Sequence, residues 1–563
     1  MWICAQSPAR TSTRMDVDDA AISAQQLLRR HPLGVYPLGN SLLDPGAGLH
    51  RAHGLGSYFA RLGDDLLLVL LQAVPPSVCA NLGRTSAVLH AFCAQEDLWR
   101  DFCLQAHARG HQLAWATEGT WRATYVHSYA APGCQRPAAS RRTRVRVYSD
   151  VLYRGFVCAA AELSPGWLAR ENIPSLDASQ LTPQEFIQRF EKKSCPVILR
   201  GCAKAWPAMQ EWSKASLLRR FGDVHFACGP CELPLSEFYS YADHNQDDSP
   251  MFVFDRFFHE RAPDLLKDYE VPDVFRNRDL FDLLGSVRPA FRWLLIGHRR
   301  SGSKWHIDPN KTSAWNVVVR GQKRWLLLPP GCPPPGVHPS RDLGEVTQPV
   351  SLIEWFRNFY GELRRTADQN PAWDFKEGTC GPGDCMFIPC GWWHCVLNLE
   401  DDTIAVTQNY ASDAYVHSIR RFLRERPEQV SGTSEKATLA DRFDAALARE
   451  RPDLLTEHAE PGTAEMDVTS QEGSGAKSTV GQGNGGPAEA TLDGNSGTQA
   501  FSFWDHLRST GKSLAFGAPV PKSQDEGKET NFGERAEEPS QKKARTDCSE
   551  DCRSQLDAWL QSF

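Results

Sequence analysis

His306-Ile307-Asp308 and, far downstream, Trp392-Trp393-His394 are the residues whose types and spacing could bind a metal. On an extended backbone, side chains two positions apart leave on the same face, so the His306 imidazole and the Asp308 carboxylate can reach one ion together. His394, arriving from a distant strand, would complete a set of two imidazoles and one carboxylate. Such a facial triad leaves coordination positions open for reactants, the arrangement used by non-haem Fe(II) oxygenases. A His-x-Asp triplet alone is common and can be accidental; its surroundings decide.

Those surroundings are strand-like. Thr312 to Val319 is an apolar run, Arg320-Gly321-Gln322 a turn, and Lys323 to Leu328 a second run stopped by Pro329-Pro330. Two runs about a glycine-containing turn predict a hairpin. If Lys323 faces inward, Trp325 and Leu327 share its face, and a buried ammonium then requires an anion. On an edge strand Lys323 would simply face solvent. Gly383-Asp384 predicts another turn, followed by a short strand from Cys385 to Pro389, a turn at Cys390-Gly391 and a strand from Trp392 to Leu397. Thr403 to Tyr410 reads as a last strand with Thr403, Ala405, Thr407 and Asn409 on one face. Many short strands separated by turns predict a sandwich or closed barrel.

With these residues in place the chain resembles the Jumonji-C oxygenases. The motifs are His306-x-Asp308 to His394, Asn316, Lys323, the Gly-Asp-x-x-Phe-Ile-Pro-x-Gly-Trp-Trp-His run and Thr407-Gln408-Asn409. The branch it is most similar to is that of the arginine demethylase and lysyl hydroxylase once called the phosphatidylserine receptor. The likeness begins near Pro196-Val197-Ile198 and passes through Asp247-Asp248-Ser249-Pro250 and Arg299 to Ser303 before ending near Tyr410. It implies a mainly β double-stranded β-helix (cupin, or jelly roll) with flanking helices. It implies Fe(II) held by His306, Asp308 and His394, with 2-oxoglutarate and dioxygen as co-reactants. It also implies Lys323 as partner of the cosubstrate's 5-carboxylate, with Ser303, Asn316 and Thr407 as polar contacts. Phe252 departs from the pattern, standing where that branch has a tyrosine hydroxyl near the 5-carboxylate.

The chain has 563 residues and a formal net charge of −7, so it exceeds one ordinary domain and exerts no chain-wide pull on nucleic acid. Its 17 cysteines accompany no secretory pattern in the first twenty residues, which predicts reduced thiols in the nucleus, the favoured site, or the cytoplasm. The longest apolar run, Leu66 to Leu71, is too short to cross a bilayer, and no membrane association is expected.

Residues 62–103 resemble an F-box: Leu62-Gly63-Asp64-Asp65-Leu66-Leu67 opens a helix, Pro75-Pro76 breaks it, apolar residues recur helically from Cys79 to Phe92, and Leu98-Trp99 closes the unit. In that family such helices dock a Skp-type adaptor of a cullin ubiquitin ligase. A small packing subdomain without adaptor binding would look the same. The expected organisation is 1–56 a poorly ordered extension, 57–108 the F-box-like all-α module, 109–170 a linker region, 171–425 the oxygenase domain, 426–456 C-terminal helices, and 457–563 a disordered low-complexity tail rich in Gly, Ser, Thr, Glu and Pro. Thr182-Pro183 starts a helix. The helices Val416 to Arg424 and Ala437 to Arg449 either cover the barrel or form a dimer contact. Arg141 to Arg146 is a basic run that can meet acidic partners but more often marks a solvated loop or strand edge, Phe501 to Leu507 is a candidate docking segment, and Lys542-Lys543-Ala544-Arg545 is a nuclear-import candidate of a kind common by chance. Cys228-Gly229-Pro230-Cys231 reads as a turn bearing two thiols, because one such pair cannot make a four-ligand zinc site. Trp315, Trp392 and Trp393 are candidates for lining the substrate approach, with aromatic core packing the expected role of at least two of them.

Two functions from different classes fit these observations. One is an Fe(II)- and 2-oxoglutarate-dependent oxygenase that hydroxylates lysyl side chains or demethylates N-methyl-arginine or N-methyl-lysine in a protein or peptide substrate. The other is an F-box substrate receptor whose barrel only binds its clients. A sugar- or metabolite-binding cupin does not account for Lys323 combined with Trp-Trp-His.

Overall fold

Alternation along Ser313–Arg320 sets the architecture. Ala314 and Val318 point into one apolar cluster with Trp325 and Ile388, while Trp315, Val317 and Val319 point into another. A strand buried on both faces must sit between two layers. The computed structural model describes residues 31–116, 119–129 and 146–456. The first thirty residues, most of the basic run at 141–146, and everything from 457 on, including Phe501 to Leu507 and Lys542 to Arg545, lie outside the described residues.

Twelve strands concern the site: β1 Ser175–Asp177, β2 Val197–Arg200, β3 His225–Cys228, β4 Cys231–Pro234, β5 Val253–Asp255, β6 Arg292–Gly297, β7 Ser313–Arg320, β8 Lys323–Leu328, β9 Lys376–Cys380, β10 Cys385–Ile388, β11 Trp393–Asn398 and β12 Thr403–Tyr410. Nine form one mixed sheet in the order β1-β2-β10-β7-β12-β6-β5-β3-β4, and three form a second in the order β9-β8-β11. This is a jelly roll. Ala314, Val318, Trp325, Leu327, Met386, Ile388 and Val396, from both sheets, meet in its interior.

The expected hairpin between β7 and β8 does not form. β7 pairs with β10 and β12, while β8 pairs with β9 and β11 in the other sheet. The turn between them is a crossing from one sheet to the other. Gly321 makes it possible at φ 69°, where a Cβ would lie 2.5 Å from Thr403 Oγ1. Alternation specifies which face a side chain takes but not which strand pairs with which, and the short connection misled.

Helices close the open surfaces. Asp64–Ala73, Pro76–Leu82, Ala87–Cys93 and Glu96–Ala108 make up the N-terminal helical module. The run expected as one helix from Cys79 to Phe92 is broken at Ser86, whose hydroxyl caps the second helix by accepting from Leu89 N at 3.0 Å. Leu67, Phe92 and Trp99 of this module share one apolar core with Trp315, Val317 and Ile404 of the large sheet. Asp247 ties the two parts together. Its carboxylate accepts from Trp121 Nε1 at 2.9 and 3.0 Å and from the Tyr241 hydroxyl at 2.6 Å. At the other end, Val416–Glu425 and Leu439–Glu450 bury Ile419, Leu423, Phe443 and Leu447 against Leu280, Phe281 and Leu284, so these helices cover the jelly roll. Cys228 and Cys231 face each other across a tight hairpin turn, and Cys380 and Cys385 are fully buried.

Candidate metal and cosubstrate site

The segment bearing His306 and Asp308 is extended but is not a full strand. It is laced onto β11 by backbone bonds: Arg300 N donates to Asn398 O, Asn398 N to Ser301 O, Val396 N to Ser303 O and His394 N to His306 O, each at 2.9 Å. His306 N returns a bond to His394 O at 3.0 Å, so the two histidines face each other as a single antiparallel bridge. Asp308 follows, immediately before the short 3-10 turn Pro309–Lys311. The Nδ1 atoms of His306 and His394 lie 2.8 and 3.1 Å from the carbonyls of Lys304 and Trp392. A carbonyl can only accept, so each Nδ1 carries the hydrogen and each Nε2 lone pair is left for a ligand. Burial pushes both imidazoles down to about 4, which keeps them neutral.

Nitrogens of these rings and an oxygen of Asp308 all lie within 4.8 Å of one another. Burial raises the Asp308 pKa, and its Oδ2 has no hydrogen-bond partner. Two neutral imidazoles beside a carboxylate oxygen without a donor make a donor set that a divalent cation completes.

The cavity containing these groups has a graded lining. Its floor is buried: Ala314, Asn316, Lys323, Trp325, Ile388, His394 and Val396. Its mouth is half-exposed and includes Phe254, Trp293, Ala290, Ser431 and Gly432. Ser303 and Thr407 also line it, so all seven residues expected at the site are brought together. Lys323 is 3% exposed, and among the described residues no carboxylate lies within ion-pair distance of it. Burial alone drives its pKa down to about 8. Asn316 Oδ1 is likewise buried without a partner, while Thr407 Oγ1 donates to Trp315 O at 2.9 Å.

Trp315, Trp392 and Trp393 all take the core-packing role expected of at least two of them and none lines the cavity: each is buried in a packing cluster, and Trp392 donates to Ser194 Oγ at 3.0 Å. The aromatic lining comes from Trp325, Trp293 and Phe254, the last two stacked with centroids 5.7 Å apart at 11°. Sequence reasoning missed this pair, although Phe254 lies two residues from Phe252 on the same strand face. Phe252 itself packs with Leu295 and Ala405 and is not among the lining residues.

A jelly roll that turns two imidazoles, a carboxylate and an unpaired lysine into one cavity defines a cupin-type oxygenase site. Residues 229–414 match the Cupin-like domain family. The chain is 41% identical over 431 residues to the arginine-specific demethylase JMJ22 of Arabidopsis thaliana, covering 75% of this chain and 82% of that protein. It is 36% identical over 300 residues to the bifunctional arginine demethylase and lysyl-hydroxylase psr-1 of Caenorhabditis elegans, covering 51% of this chain and 70% of that protein. It is 26% identical over 281 residues to the human 2-oxoglutarate and iron-dependent oxygenase JMJD4, covering 43% and 62%. The chain belongs to the JmjC-domain family and is a dioxygenase enzyme.

Proposed function

We propose that this protein is an Fe(II)- and 2-oxoglutarate-dependent oxygenase acting on arginine or lysine side chains of a protein substrate. The observation that carries the reading is the single cavity uniting the His306, Asp308 and His394 donors with an unpaired, buried Lys323. Fe(II) held there would supply oxidative decarboxylation of 2-oxoglutarate by dioxygen, coupled to conversion of a substrate C–H bond to C–OH.

The chain's own residues prepare that chemistry. The carbonyls of Lys304 and Trp392 fix the imidazole tautomers. Asp308 supplies the negative charge that a divalent ion needs. Lys323 on the floor meets a carboxylate in a charge-assisted bond and thereby orients the cosubstrate along the cavity. Asn316 Oδ1 and the Ser303 hydroxyl remain available for polar contacts. At the mouth, the Phe254 and Trp293 faces offer a surface on which a planar cationic side chain can stack, beside Arg256, which also lines the cavity. Hydroxylation of a ring-free methylene gives hydroxylysine. The same step on an N-methyl group gives a hemiaminal that releases formaldehyde.

The test is succinate release by the purified protein with Fe(II), ascorbate and an Arg/Lys peptide pool, with and without N-methyl groups, followed by mass spectrometry. A peptide gaining one oxygen or losing one methylene supports the reading. Succinate release equal to that of Asp308→Ala sinks it.

A second activity fits the N-terminal module. Leu67 and Leu71 fill its core, but Leu66, Leu70 and Val78 are 59%, 45% and 41% exposed. Exposed leucines on a helical stripe suit a protein partner, here a Skp-type adaptor of a cullin ligase. Capture of that adaptor by wild-type protein, lost in Leu66→Asp with unchanged thermal stability, is the expected result.

A further inference from the structure

The cavity mouth uses a segment from outside the strands. Ser431 and Gly432 line it, although they lie in the loop between the two C-terminal helices. Val430, just before them, is fully buried among those helices. Two bonds fix the loop on its other side. Asn310 Nδ2 donates to Ser431 O, and Ser431 N donates to Asn310 Oδ1, both at 3.0 Å. One side-chain amide thus satisfies both backbone groups of Ser431. A third bond runs from Ala290 N to Gly432 O at 2.7 Å. Gly432 has φ 80°, and a Cβ there would lie 2.7 Å from Ala290 N. The loop is therefore pinned against two walls of the mouth.

Asn310 stands two residues after Asp308, is 4% exposed and has φ 55°. Asparagine tolerates that left-handed backbone better than most residues, so its type has a merely conformational explanation. The two amide bonds go beyond it, because a glycine would serve the backbone equally well.

We infer that Asn310 is a positioning residue for substrate selection. It holds Ser431 and Gly432 as a fixed lip, so that the backbone of the C-terminal loop shapes the opening through which the substrate side chain reaches the site. The inference rests on the oxygenase reading and adds to it a specificity element supplied from beyond the last strand. It also links that element to the segment carrying Asp308.

The test compares wild type with Asn310→Gly, which keeps the left-handed backbone and deletes only the amide. The probe is the same Arg/Lys peptide pool. Two neutral hydrogen bonds correspond to about a tenfold or larger effect, so the peptide KM should rise about tenfold while the KM for 2-oxoglutarate stays where it was. Hydrogen exchange should accelerate at the Ser431 amide. Gly432→Ala, which pushes the lip from the Ala290 side, should also raise the peptide KM, so the inference does not depend on one variant folding. An unchanged peptide KM in both variants, or parallel rises in both KM values, overturns the inference and leaves the oxygenase reading standing. Absence of succinate release from wild type with any peptide overturns the oxygenase reading itself, and the inference with it.

Discussion

Replacing Lys323 with methionine separates what the cavity floor does for function from what it does for stability. Methionine keeps the unbranched shape and removes the charge. In the apo protein Lys323 has no anionic partner, and burial lowers its pKa from 10.5 to about 8. At about 1.4 kcal/mol per pH unit, that difference opposes folding by about 3 kcal/mol whenever the amine is charged in both states. Because the folded pKa lies below the unfolded one, the penalty is complete below about pH 8, fades between 8 and 10.5, and is absent above. Lys323→Met should therefore raise apo stability at pH 7, with the gain vanishing toward pH 10.5. Toward 2-oxoglutarate the sign reverses. A charge-assisted bond contributes about 1.5–3 kcal/mol, so the dissociation constant should rise about ten- to hundredfold. In wild type, binding should weaken as pH rises through 8, because the ligand needs the protonated amine; the variant should lose that dependence. Denaturation curves of the apo protein and titration of 2-oxoglutarate with Mn(II) read both quantities, with Trp325 in the cavity wall as a fluorescence reporter. An unchanged dissociation constant, or a less stable apo variant, would mean that the ammonium has another partner and that the cosubstrate assignment is wrong.

Other outcomes follow from the same geometry. Asp308→Ala should abolish Mn(II) binding and succinate release while leaving the apo fold intact, since it removes a buried carboxylate with an unpaired oxygen; retained metal affinity by titration would break the triad assignment. With His306 and His394 held near 4, protons should not compete for the metal until the pH falls well below 6; occupancy already lost around 6.5 would show that the rings are solvated. Asp247→Ala leaves the Trp121 indole and the Tyr241 hydroxyl without their acceptor. At about 1–3 kcal/mol per orphaned group, urea denaturation should show a loss of at least about 2 kcal/mol. Because the helical module shares its core with the large sheet, a fragment beginning at residue 171 should not yield soluble folded oxygenase; a cooperative melt of that fragment would refute the shared core.

Much of this site was legible in the chain because its chemistry is local in sequence. His306 and Asp308 are two residues apart, and their spacing on extended backbone fixed their shared direction before any fold was known. Period two put Lys323 and Trp325 on one face but left open whether that face was inward; the fold turns it inward, and both line the cavity. The strand limits Thr403–Tyr410 and the turn at Gly383 followed from composition. Tertiary structure decided everything that depends on which segments meet. β7 and β8 read as a hairpin but enter different sheets, because hydrogen-bond partners are chosen by packing and not by the alternation that reveals a strand. The aromatic lining came from Trp293 and Phe254 instead of the conspicuous Trp392-Trp393, since Trp392 and Trp393 enter two different packing clusters and both are buried there. The lip at Ser431 and Gly432 carries no motif at all. It reaches the cavity because Val430 is buried among the C-terminal helices and Asn310, 121 residues earlier, bonds to the neighbouring backbone, a contact with no trace in the sequence of either segment.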